Sequence, residues 1–174
     1  MRTSLVLTII GDDKPGIVDL ISDRVLSAGA NWEESSMARL SGKFAGVLRV
    51  SVPSDGAEGL AAALRALDAQ GLSVVVADSR VPEPPPAQHL HLSLVGNDRP
   101  GIVRDIARTL AAHQVNIEML DTSVESAPMS GEALFHADAA LRVPAGVTAD
   151  ELKQVLESLA GELMVDLSVD DLSD

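Results

Sequence analysis

The chain repeats itself, and nothing else about it restricts the fold so tightly. Gly11-Asp12-Asp13-Lys14-Pro15-Gly16-Ile17-Val18 returns as Gly96-Asn97-Asp98-Arg99-Pro100-Gly101-Ile102-Val103, 85 positions later. The same displacement carries Asn31 onto Asn116 and Glu33 onto Glu118. Phe44–Pro53 returns as Phe135–Pro144 at a displacement of 91, so the second copy holds six extra residues around Glu125–Gly131. Matches kept in this order mean one supersecondary unit built twice. Between the copies, Val81-Pro82-Glu83-Pro84-Pro85-Pro86-Ala87 reads as a short, stiff polyproline spacer. The expected division is a first module over residues 1–81, a linker over 82–88 and a second module over 89–174. Modules of about 85 residues bury only a modest share of their surface, so they are expected to lean on one another or on a second chain.

Within each copy the hydrophobic period changes in a set order. Leu5–Ile10 is a short apolar run bounded by Gly11, which predicts a central strand. Ile17, Leu20, Ile21, Val25 and Ala28 then share one helical face, and Gly29 closes it. Two strands follow near Asn31–Ser41 and Lys43–Val52, joined at Ser41-Gly42. Asp55 precedes Leu60, Ala63, Leu64 and Leu67 at helical spacing, Gly71 stops that helix, and Leu72–Asp78 supplies a last strand. In the second copy the strands fall near His89–Val95, Val115–Val124 and Glu132–Val143, with a last one alternating from Leu163 to Val169. Its helices fall near Gly101–His113 and Ala149–Leu159. The order βαββαβ predicts an α+β chain of two ferredoxin-like modules, each an antiparallel sheet covered by two helices. One face of each sheet is left bare, which predicts association of modules and at least a dimer.

Composition removes several functions. There is no Cys, hence no disulfide, thiolate metal site or cysteine nucleophile. The net charge is −13, and it is unequal: residues 1–84 carry 8 Lys/Arg against 11 Asp/Glu, residues 85–174 carry 5 against 15. That surface repels a phosphate backbone, and three aromatic residues (Trp32, Phe44, Phe135) are too few for a base-stacking platform. No direct nucleic-acid contact is expected. No apolar run approaches the roughly 20 residues that span a bilayer. Leu5–Ile10 is too short for the core of a signal peptide, so a cytoplasmic location is expected.

The chemistry is concentrated in the doubled strand-to-helix loop, Gly11–Ile17 and Gly96–Ile102. A helix N-terminus offers unpaired N–H groups and partial positive charge, so it can hold a carboxylate or phosphate. Gly16 and Gly101 leave room for a ligand, and a branched side chain there is expected to block binding at little cost to the fold. Pro15 and Pro100 suit the first helical turn, and Asp13 and Asp98 are placed to cap it. Asn31 and Asn116 are read as opening the strand beside this loop, within reach of a ligand's amino or carboxyl group. Each feature also has a purely structural explanation: Asx-x-Pro-Gly makes a good turn, and Asn suits an αL position after a helix. His89 and His91 face one side of a strand but lack a third ligand nearby in sequence, so no metal and no cofactor are expected. The chain holds no nucleophile elbow, Walker loop or dinucleotide fingerprint.

The paired Asp-Lys-Pro-Gly-Ile and Asp-Arg-Pro-Gly-Ile loops, each after an apolar strand and each followed by Asn some fifteen residues on, resemble those of ACT domains. The two-module layout is similar to that of the glycine cleavage system transcriptional repressor family. The resemblance implies a regulator, not an enzyme, that binds an amino acid and acts through a protein partner such as a transcription activator. It also implies a ligand at an interface between modules, against Gly11, Asp12, Asp13, Lys14, Pro15, Gly16, Ile17 and Asn31, and against Gly96, Asn97, Asp98, Arg99, Pro100, Gly101, Ile102 and Asn116. The alternatives are an oligomerisation module without ligand, and a small ferredoxin-like hydrolase.

Overall fold

Alternation in the first strand sets the frame. In β1 (Arg2–Asp12) every second residue turns inward, and Leu5, Leu7 and Ile9 are buried. The computed structural model describes residues 1–79, 86–126 and 132–171. It divides the chain into two compact units, Met1–Pro82 and Glu83–Asp174.

In the first unit β1 is followed by α1 (Ile17–Ser27), β2 (Asn31–Leu40), β3 (Lys43–Pro53), α2 (Ala57–Arg65) and β4 (Leu72–Asp78). The second unit repeats the order with β5 (Ala87–Asn97), α3 (Ile102–Ala112), β6 (Asn116–Ser126), β7 (Ala133–Pro144), α4 (Ala149–Leu163) and β8 (Val165–Asp171). The strand orders are β2-β3-β1-β4 and β6-β7-β5-β8, with every pairing antiparallel. This is the ferredoxin-like α+β architecture that the periodicity predicts. Ile17, Ile21 and Val25 of α1 and Leu60 and Leu64 of α2 meet Leu7, Ile9, Leu48 and Val50 in the first core. In the second, Ile102, Ile106, Leu110, Leu152 and Leu156 meet Leu92, Leu94 and Leu141. Each such side chain contributes about 1.5–3 kcal/mol by leaving water, which is why the helices lie on one face and the other stays open.

Element ends differ from the sequence reading for local reasons. β5 begins at Ala87 and pairs Ala87 with Pro144 and Gln88 with Val143, so the strand takes in the last two residues of the span read as linker. Most of that spacer, residues 80–85, lies outside the described residues, as do residues 127–131 of the longer second loop. α2 tightens into a 3-10 turn, Ala66–Gln70, before Gly71. α4 runs on to Leu163, read above as strand, because Leu156, Ala160 and Leu163 keep helical spacing and are buried. Met164 in the left-handed region then ends it.

Three glycines are required by packing. A Cβ on Gly96 would collide with Val165 Cγ1 and one on Gly46 with the Ser36 carbonyl oxygen, and one on Gly11 would stand 2.7 Å from the Gly71 carbonyl oxygen. Gly161, inside α4, faces open space. Gly96→Ala is therefore expected to cost about 1–3 kcal/mol through overpacking, while Gly161→Ala should stabilise by up to about 1 kcal/mol. Urea unfolding of the two variants checks the opposite signs.

α4 also carries a full capping box: the Glu151 N–H donates to Thr148 Oγ1 at 3.2 Å, and Glu151 Oε2 accepts from the Thr148 N–H at 3.0 Å. These bonds favour the ionised carboxylate, the backbone N–H of Thr148 most and its hydroxyl next, and hold Glu151 below its ordinary value. A carboxyl depressed by folding contributes stability that is present above its unfolded pKa and lost as pH falls through the folded one. Thr148→Ala should therefore destabilise at neutral pH and narrow its deficit as the pH is lowered through the acidic carboxylate range, read from melts across that range.

Candidate functional site

Each unit joins its central strand to its first helix by the same loop. In the first, Gly16 takes φ of 90° at the N-terminus of α1, and Gly101 takes 91° at that of α3. No side chain caps either helix. This corrects the reading of Asp13 and Asp98 as caps. The left-handed glycine turns the chain into the helix, so the aspartates lie three residues back and outside capping range. Pro15 and Pro100 likewise precede the helix and belong to the turn.

The first loop is tied to both neighbouring turns. The Asp13 N–H donates to the Gly42 carbonyl at 2.9 Å, and the Asp13 carboxylate accepts from Arg39 Nε at 2.6 Å. Asp12 pairs with Lys43. That hydrogen bond, then the Lys43 charge, hold its carboxyl below the usual range. Lys14 Nζ donates to the Gln70 carbonyl at 2.9 Å. The second loop keeps the backbone tie to the following hairpin but turns its side chains onto its own helix. The Asp98 N–H donates to the Ala133 carbonyl at 2.9 Å, and Arg99 Nη2 reaches Asp105 Oδ2 at 3.0 Å. Arg104 approaches the other oxygen of Asp105 at 3.1 Å, and the two guanidiniums, Arg104 the more strongly, lower that carboxyl's pKa. At the position of Asp105 the first copy has Leu20. Arg39, Lys43 and Asp105 lie outside the residues to which the sequence motif points. The first two flank the Ser41-Gly42 turn, a signal that needs the strand pairing, whereas Asp105 against Leu20 is a difference the repeat itself displays.

Asn31 and Asn116 do not join their own loops. Asn31 pairs with Ser51, which pairs with Ser4, near the start of β1. Eight residues separate Ser4 from Asp12, about 26 Å of strand. Asn116 pairs with Arg142, opposite His89, at the same far end of the second sheet. A helix antiparallel to the strand before it returns the chain to the opposite edge, so the residue that follows cannot lie beside the first loop. The glycines also act otherwise than expected. No atom lies within 4 Å of a Cβ on Gly16, but its φ is one that β-branched residues rarely adopt, so Gly16→Val strains the loop whatever binds there.

Beside the loops are two open clefts. One of about 310 Å³ is bounded by Gly11, Asp12, Lys43, Asp68, Gly71 and Ser73. Its counterpart of about 510 Å³ lies by Gly96, Asn97, Met164 and Asp166. His89 and His91 do share a sheet face, paired with Glu118 at 3.1 Å and Asp138 at 3.4 Å. Among the described residues no group of three or more His, Asp and Glu is placed to hold a metal, and no helix is long and apolar enough to cross a membrane.

In the Asp13–Arg39 pair the Arg39 side chain is 68% exposed and that of Asp13 33%, so water reaches both and limits the pair's worth to under about 1 kcal/mol. Asp13→Ala and Arg39→Ala should each destabilise by that little, and the double variant by no more than the larger of the two. A loss near 2 kcal/mol for Asp13→Ala alone, in a double-mutant cycle by urea unfolding, would mean that the residue supports the helix after all.

Comparison with known proteins completes the description. Residues 3–77 match one model described as ACT domain, and residues 90–160 match a second of the same description. The glycine cleavage system transcriptional repressor of Escherichia coli (strain K12) is 28% identical over 162 residues, covering 91% of this chain and 85% of the relative. That of Shigella flexneri gives the same figures. Among solved structures, an unknown protein from Galdieria sulphuraria superposes with a TM-score of 0.85 at 27% identity, covering 99% of this chain and 100% of that one. A candidate glycine cleavage system transcriptional repressor superposes at 0.75 over 100% and 99% of the two chains; at 21% identity this likeness is one of fold.

Proposed function

Because the chain belongs to the ACT domain family, with one ACT domain in each half, we propose that it is a regulatory sensor of an amino acid that acts through a protein partner. The observation that carries this reading is the pair of uncapped helix N-termini behind left-handed glycines, Gly16 and Gly101. Both helices have 11 residues, long enough for a dipole, and their first-turn N–H groups have no side-chain acceptor. An α-carboxylate suits such a turn. α4, whose N-terminus is closed by Thr148 and Glu151, shows what a helix end with its own acceptor looks like.

Charge and the relatives' name support the partner's role. A chain of net charge −13 gains nothing from a phosphate backbone. Relatives named as transcriptional repressors support transcriptional control of glycine or amino-acid metabolism, exerted through a second protein. Neither loop assembles a nucleophile, a base and an anion hole, which supports a binding role over a hydrolytic one.

The test must separate ligand from loop integrity, which the glycine variants cannot do. Val18 and Val103 are exposed in the first turns of α1 and α3. Val18→Glu with Val103→Glu places a carboxylate at each helix end, favourable for the helix by about 0.3–1 kcal/mol but in competition with an anionic ligand. Calorimetric titration with the set of natural amino acids should show binding to the unmodified protein and at least a tenfold loss in the double variant, whose melting temperature holds or rises. No binding to the unmodified protein, or equal binding to both, would overturn the reading.

A further inference from the structure

The two units share a fold but not the means of holding it. In the first, α1 and the 3-10 turn after α2 are each ended by a left-handed glycine, Gly29 at φ 63° and Gly71 at φ 81°. At the matching places in the second stand Gln114, after α3, at φ 57° and Met164, at the end of α4, at φ 55°. A Cβ held in that region crowds the following carbonyl, and glycine has none. Among the described residues the one other non-glycine residue with positive φ is Ser41, in the turn between β2 and β3. The capping box of α4 works the other way and offsets about one of the two.

The seam between the first helix and the outer strand is also filled unequally. Register sets Trp32, Met37 and Leu48 of the first unit against Ile117, Thr122 and Ala139 of the second. Trp32 and Met37 pack against the first core, in which Leu48 is buried. Their smaller counterparts border a void of about 20 Å³ between α3, β6 and the sheet, which Leu120 and Ala137, larger than Ser35 and Gly46, leave unfilled. Side chains that face a void lose their contacts on that side. Charge is the third difference. Asp121 lies directly opposite Asp138 in the ladder of β6 and β7, where the first unit has Ser36 opposite Val47. Like charges so placed oppose pairing, and His91, 3.4 Å from Asp138, compensates only when its ring is protonated.

We infer that the second unit is the labile half of the chain, one that opens as a unit while the first stays folded. Cap strain, an underfilled seam and opposed carboxylates have separate causes, and all three weaken the same unit. A cooperative region of lower stability opens without the rest. Whatever binds only its folded form holds it closed by mass action. Under the sensing proposed above, the second loop is then the one whose ligand changes how much of the chain is folded. That consequence rests on the proposed function; the difference in stability does not, and it is measured without ligand.

The chain's single tryptophan, Trp32, packs against the first core, so its fluorescence follows the first unit. Far-UV circular dichroism counts the helices and strands of both. In urea at low salt, circular dichroism should lose part of its signal in a first transition through which the fluorescence holds. Gln114→Gly should make opening of the second unit about fivefold rarer, moving that first transition to higher urea and leaving the Trp32 transition in place. Gly29→Gln should do the reverse and bring the fluorescence transition to lower urea. Asp121→Ser, which supplies the first unit's residue, is an independent variant that should stabilise the second unit most at low salt and less as salt is added. Coincident transitions by the two probes in the unmodified protein, or fluorescence that changes first, would overturn the inference. So would a Gln114→Gly or Asp121→Ser variant whose first transition does not move.

Discussion

Leu7 and Ile9 in β1, and Leu92 and Leu94 in β5, are almost without solvent contact at the centre of their sheets, and the rest of each unit is arranged to keep them dry. A central strand with neighbours on both sides can satisfy its backbone within the sheet, but its side chains need cover from outside the sheet plane. Two helices supply it on one face only. Everything of functional interest follows from that asymmetry: a loop must carry the chain from the buried strand up to the covering helix, and a second face must remain open.

The strand-to-helix loop is shaped first by structural need. Gly11 and Gly96 are demanded by the close approach of β4 and β8, and Gly16 and Gly101 by a left-handed turn. Neither demand involves a ligand. Yet the left-handed turn leaves the helix end without a side-chain acceptor, and it is on such a helix end that the proposed sensing of an anionic ligand rests. The copies then diverge. The first loop is held by neighbouring turns through Arg39, Lys43 and Gln70, whereas the second is drawn onto its own helix by the Arg99–Asp105 pair. Duplication preserved the backbone path and left the side chains free to specialise.

The open faces make the same point on a larger scale. Residues that point into the core are constrained in both copies by close packing, and both cores are uniformly apolar with no buried polar or charged residue among those described. Residues that point outward are constrained only by what they meet. Val47 against Asp138 and Val75 against Ser168 are differences that folding tolerates.

By itself the sequence determined the architecture. A repeat with apolar alternation in its strands and i, i+4 spacing in Ile17, Ile21 and Val25 admits few arrangements, because both periods are local consequences of backbone geometry. It also located the two loops, since Gly, Pro and Asp in that order have few conformations open to them. What it could not determine is which residues come together around them. Asn31 follows the loop by fifteen positions yet lies at the other end of the sheet, while Arg39, Lys43 and Gln70 reach it from elements further along the chain. Cap or ion pair, loop or far edge, and which strand residues share an open row are settled by strand order and register, and these are set by long-range packing.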